Sequence, residues 1–140
     1  MNSRRAVLVG ALGLASTLIS GQAFAGSYLN RAVFLIYGAR RECDTMRARF
    51  GDKELARIAY RMAQARRESA SDMMVPKEVV QAHPHLLLTL ENYERAADAA
   101  VAGEASRFML YSQRAQDEER TFRAVLKQLG WELPDPKKPG

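Results

Sequence analysis

The sequence predicts an all-α protein, an up-down-up-down four-helix bundle that follows a cleaved signal peptide. Three observations carry this expectation. Apolar residues recur at alternating spacings of three and four through successive segments, which is the seam a helix needs to pack along its length. Glycines and a capping aspartate separate the segments where one helix should stop and the next begin. No segment alternates apolar and polar residues as a half-buried strand does. At 140 residues, 47% of them hydrophobic and 26% charged, the chain has the size and composition of one ordinary globular domain. That size excludes a TIM barrel or a two-domain nucleotide enzyme.

Residues 1–25 read as an export signal. Arg4 and Arg5 form a short basic start, and Ala6 to Ile19 is a moderately apolar stretch broken by Gly10, Gly13 and Ser16. Ala23-Phe24-Ala25 fits the small-x-small rule, which places cleavage before Gly26. The apolar run is too short for the roughly twenty residues of a membrane span, so no stable membrane anchor is expected. No Cys stands at the cleavage site, which argues against a lipoprotein. Ser3-Arg4-Arg5-Ala6-Val7-Leu8 resembles the twin-arginine export motif, S-R-R-x-F-L-K, with Val7 in place of the Phe and Val9 in place of the Lys. The general secretory route is the alternative. The resemblance implies a bacterial protein that folds before export and resides in the periplasm or outside the cell. Such cargo carries cofactors more often than average.

Residues 26–133 are expected to form the bundle. In helix one, Leu29, Ala32, Ile36, Ala39, Cys43, Met46 and Phe50 make the seam. Gly51 supplies a left-handed stop and Asp52 an N-cap oxygen, with Glu54 in the next first turn where the helix dipole favours an anion. So short a connection forces a hairpin. Helix two should turn Leu55, Ile58, Met62, Ala65 and Ser69 inward and Arg57, Arg61 and Glu68 to water. A looser connection and a short turn at Lys77 to Ala82 lead to helix three. That helix starts at Pro84 or just after, where a proline removes no hydrogen bond. Its inward set is Leu86, Leu90, Tyr93, Ala97 and Ala100, and Gly103 ends it. Helix four runs from about Ala105 to Leu129, with Gly130 as the stop and Trp131 folding back on Leu126. Residues 134–140, rich in proline, are expected to form a frayed tail.

Familiar catalytic signatures are missing. Neither His83 nor His85 has a Glu three residues before it, as a ferritin-like di-iron site requires, and one Cys cannot make a c-type haem attachment. No phosphate loop, nucleophile elbow or His-Glu-x-x-His is present. His83-Pro84-His85 reads as exposed residues at a helix start, with copper or zinc binding as the sharper alternative. Cys43 reads as a buried thiol, with an intermolecular disulfide or cofactor ligation as alternatives.

Two features depart from a plain bundle. Between Tyr111 and Phe122 the only apolar residue is Ala115, so the seam of helix four brings Glu118 or Glu119 inward. A buried carboxylate needs a partner, and Arg40, Arg41 or Arg47 of helix one lies level with it. A polar core layer of Arg40, Arg41, Cys43, Glu118 and Glu119 follows, read first as a register-fixing ion pair and second as a ligand pocket with Tyr93. The other feature is Val33-Phe34-Leu35-Ile36-Tyr37, apolar all round, which leaves Phe34 and Tyr37 facing outward. Leu88 is similarly placed on helix three. These three are the interface candidates, for a protein partner or a homodimer.

The chain carries 21 Lys and Arg against 16 Asp and Glu, a net charge of +5, and two of the arginines leave with the signal. That is too mild for nucleic-acid binding. Residues 26–71 are basic and residues 72–136 acidic, so the two halves attract within one fold. The first functional expectation is a non-catalytic periplasmic binding or scaffold protein with no cofactor. The alternative is a periplasmic redox or metal-handling bundle. Binding of anionic lipid or another polyanion ranks third.

Overall fold

The computed structural model describes the backbone of residues 2–136 and the side chains of residues 23–136. The side chains of Ser3, Arg4 and Arg5, and the last tail residues 137–140, lie outside that range. Four α-helices are present, α1 (Asn2–Ala48), α2 (Lys53–Ser71), α3 (His83–Ala102) and α4 (Ala105–Gln128), and the described residues contain no strand. The fold is all-helical and consistent with a four-helix bundle. No helix among the described residues is long and apolar enough to cross a membrane. Helix α1 runs through the expected cleavage site, with Ala23 exposed and Ala25 fully buried.

Local chemistry accounts for the helix ends. Gly51, Gly103 and Gly130 adopt φ of +105°, +73° and +89°, a region that costs other residues about 1 kcal/mol or more. The Asp52 carboxylate accepts a hydrogen bond from the Leu55 N–H at 3.1 Å and caps α2. Beyond α3, the Glu104 N–H returns to the Ala99 carbonyl at 2.9 Å. Beyond α4, the Trp131 N–H returns to the Leu126 carbonyl at 2.8 Å. Lys53 Nζ donates to the Val101 carbonyl at 2.8 Å, setting a cation against the negative end of α3. Residues 77–82 form turns, and Pro84 sits in the first turn of α3, where it starts the helix and does not kink it.

Helix α3 is the central element and packs against the other three. Its inward residues include Leu86, Leu90 and Tyr93, and Ala96, Ala97, Ala99 and Ala100 then let neighbouring helices come close. On α1 the seam holds from Leu29 to Met46. Phe50 is partly exposed, with its ring 5.5 Å from that of Phe108.

Helix α2 is rotated from the expected face. Its buried residues are Ala56, Ala59, Ala63 and Ala70, while Ile58 is 53% and Met62 45% exposed, and Ala65 and Ser69 also face outward. Two ion pairs set this rotation. Arg66 donates to both oxygens of Glu42 on α1, and Arg67 donates to Glu94 on α3, one on each side of the alanine stripe. Gly38 makes room for the first of these, because a Cβ there would stand 3.0 Å from Arg66 Nε.

Candidate functional site

Two regions of the bundle concentrate unusual residues. The first is the polar layer between α1, α3 and α4. Glu119 is 4% exposed, and its carboxylate accepts hydrogen bonds from Arg40 of α1 and, at 3.0 Å, from Arg123 one turn along α4. Cys43 Sγ lies 3.2 Å from Ser112 Oγ, whose hydroxyl donates to the Phe108 carbonyl one turn back. Burial pushes the Cys43 thiol pKa up, against weaker opposing effects of Ser112 and Arg47, so the sulfur stays protonated and a poor nucleophile. Tyr93 faces Arg40, Glu119 and Cys43 from α3, and burial raises its pKa to about 12. Its hydroxyl faces the Arg40 guanidinium, which can only donate, and finds no acceptor for its own hydrogen among the described residues.

The layer is narrower than the sequence implies. Arg40, Cys43 and Glu119 come together, but Glu118 is half-exposed and hydrogen-bonded to His85 Nδ1 at 3.1 Å, and Arg41 is exposed over the Tyr37 ring at 5.7 Å. Successive helical residues diverge by about 100°, so only one of each adjacent pair can face inward. Ser112 and Tyr93 complete the layer. The gap between Tyr111 and Phe122 contains Ser112, and its i−4 hydrogen bond lets a hydroxyl sit in a core.

The two histidines go separate ways from the first turn of α3. His83 Nδ1 lies 2.7 Å from the Tyr28 hydroxyl of α1, and burial lowers the His83 pKa. His85 meets Glu118 of α4. Among the described residues no three His, Cys, Asp or Glu side chains are grouped as metal ligands. Neither Cys43 nor Ser112 is hydrogen-bonded to a general base.

The second region is an apolar groove on the outer side of α1 and α2. Phe34, Leu35, Met73 and Met74 line a cavity of about 760 Å³ that also includes Arg31 and Ser69. Leu35 and Ser69 continue into a smaller one of about 250 Å³ with Met62 and Ala65. Phe34 is 78% and Met74 76% exposed. Flexible, polarisable methionine side chains suit a surface that must mould to an apolar occupant.

Of the three interface candidates, only Phe34 belongs to this groove. Tyr37 lies in a separate cavity of about 300 Å³, with Arg40, Arg123 and tail residues Leu133 to Pro136. Leu88 is partly exposed on α3 and lines neither. The sequence reading turns Ile58 and Met62 inward, because large apolar residues at helical spacing are ordinarily core, whereas the structure exposes both and sets Met62 in the groove.

Set against models of known protein families, curated proteins and solved structures, this chain has no match.

Proposed function

We propose that the chain is a non-catalytic, exported helical-bundle protein that holds a polypeptide, a partner protein or a second copy of itself, on the outer α1–α2 face. One observation carries this reading, the continuous apolar groove from Phe34 through Leu35 to Met62 and Met74, with two side chains more than three-quarters exposed. An apolar surface left in water is unfavourable by about 25 cal/mol per Å², and large exposed patches on small proteins mark interaction sites. In this reading residues 1–25 are a twin-arginine-like signal removed before Gly26, residues 26–133 form an up-down-up-down bundle in a bacterial periplasm, and no nucleic acid is bound. Phe34→Asp tests the groove. Proteins co-purified from the periplasm with wild type should be lost from the variant while its helical content is unchanged. Equal recovery by both would remove this face from consideration.

A second reading, a cofactor-binding redox bundle, draws support from the Tyr93 hydroxyl, which faces the Arg40 guanidinium but has no acceptor for its hydrogen, beside Cys43 and Glu119. A buried donor without an acceptor is what a ligand atom would satisfy. Visible absorbance or excess mass that is lost on Cys43→Ala and Tyr93→Phe would favour it over the binding reading.

A further inference from the structure

One corner of the bundle joins three helices through a titratable side chain. His83, at the start of α3, has its Nδ1 2.7 Å from the Tyr28 hydroxyl of α1, and the two rings lie 5.6 Å apart. Tyr28 is 2% exposed, and a buried hydroxyl hydrogen needs an acceptor. His83 Nδ1 is the acceptor it reaches, which assigns the unprotonated state to that nitrogen. From the end of α2 the Ala70 carbonyl acts on the same ring. The residues beside these contacts line the apolar groove: Ser27 and Arg31 next to Tyr28, and Ser69 and Asp72 next to Ala70, followed by Met73 and Met74. The α2–α3 connection, residues 72–82, is anchored by fully buried Val79 and Ala82 and ends on His83.

From this we infer that His83 is an acid-released latch: the neutral ring holds α1, the end of α2 and the start of α3 together, and its protonation loosens the 72–82 connection and with it the Met73–Met74 side of the groove. This is a regulation of the binding face proposed above, and it rests on that reading for its functional meaning. Once protonated, Nδ1 carries a hydrogen and can no longer accept, so two donors face each other and the buried Tyr28 hydroxyl loses its acceptor. Burial holds the His83 pKa below its ordinary value, against the opposing effect of the Ala70 carbonyl. The closed arrangement therefore binds a proton less readily than an open one, and acid favours opening. Around the ring, Tyr28 of α1 is pushed further above its usual range by burial, α2 presents the Ala70 carbonyl with Asp72 beyond it in the groove, and Glu118 of α4 pairs with His85 two residues along α3.

The test is an NMR titration of the purified protein from about pH 7.5 to 5, following the histidine rings and the methionine methyl groups. In wild type the Met73 and Met74 methyl signals should shift with the midpoint of the His83 ring, below about 6.5, while exposed Met109 on α4 stays unchanged. Amide hydrogen exchange in residues 69–83, corrected for its intrinsic pH dependence, should quicken about threefold or more between pH 7.5 and 5.5. His83→Gln keeps an uncharged acceptor for Tyr28 and should abolish both responses. Tyr28→Phe removes the donor to the neutral ring, so it should raise the His83 midpoint and leave the connection exchanging faster already at pH 7.5, a second reading should His83→Gln fail to fold. Flat Met73 and Met74 signals across the His83 midpoint in wild type overturn the latch, as do responses that persist in His83→Gln or a His83 midpoint unmoved by Tyr28→Phe. None of these touches the groove reading, which falls instead on equal partner recovery by wild type and Phe34→Asp.

Discussion

A carboxylate taken out of water must be compensated, and Glu119 is compensated by two guanidinium groups that remain about 44% exposed. That exposure spares the arginines most of their desolvation and limits what the pairs contribute. Glu119→Gln should lower stability by about 1–3 kcal/mol, whereas Glu118→Gln, at a half-exposed site, should stay within about 0.5 kcal/mol. Equal effects in denaturant titrations would contradict the assignment of Glu119 as the buried member. Tyr93→Phe removes a hydroxyl that faces the half-exposed Arg40 guanidinium and has no acceptor for its own hydrogen, so stability should change by no more than about 1 kcal/mol. A clear loss would reveal a hidden acceptor. His83 brings a pH dependence. Burial holds its pKa below the ordinary 6.5, so as the pH falls the unfolded chain binds the proton first. Stability should be full above that value and decline as the pH drops through it, a slope that His83→Gln should reduce between about pH 7.5 and 5.5. A thermal midpoint with the same pH slope in both proteins would sink this. The need for a buried acid in helix four was legible in the sequence. Which of two adjacent glutamates it was depended on a rotation that only the packed helices fix.

At the scale of elements, what is local was legible and what is relational was not. Gly51, Asp52, Pro84, Gly103 and the Gly130-Trp131 ending act through their own backbone geometry, which neighbouring residues reveal. The face of α2 is decided across the bundle, by alanines that permit close approach and by Arg66 and Arg67 reaching in different directions. The larger Ile58 and Met62 gave the stronger hydrophobic signal and pointed to the wrong face. Ala63→Leu should therefore overpack the contact and lose about 1–3 kcal/mol, while Ile58→Ser should change stability by no more than about 0.5 kcal/mol. Thermal or chemical melts check both. A large loss from Ile58→Ser with a neutral Ala63→Leu would mean that α2 is turned the other way.

At the scale of the molecule, the basic first half and acidic second half meet inside the fold. Arg40 pairs with Glu119 and Arg67 with Glu94, each bridging the two halves. Of the arginines outside the ion pairs among the described residues, Arg31 lines the groove, Arg57 and Arg61 are exposed on α2, and Arg41 and Arg114 lie over the Tyr37 and Tyr111 rings. The outer face of α1 and α2 thus combines exposed Phe34, Met62 and Met74 with charges of both signs, Arg31 and Asp72 among them in the groove itself. That combination is expensive to leave in water and makes sense against another polypeptide. The most direct measurement is native mass spectrometry of wild type and Phe34→Asp recovered from the periplasm. The account predicts a mature chain beginning at Gly26, present in wild type within a complex heavier than one chain and in the variant as a single chain. One bare chain in both proteins, or the same complex in both, would contradict it.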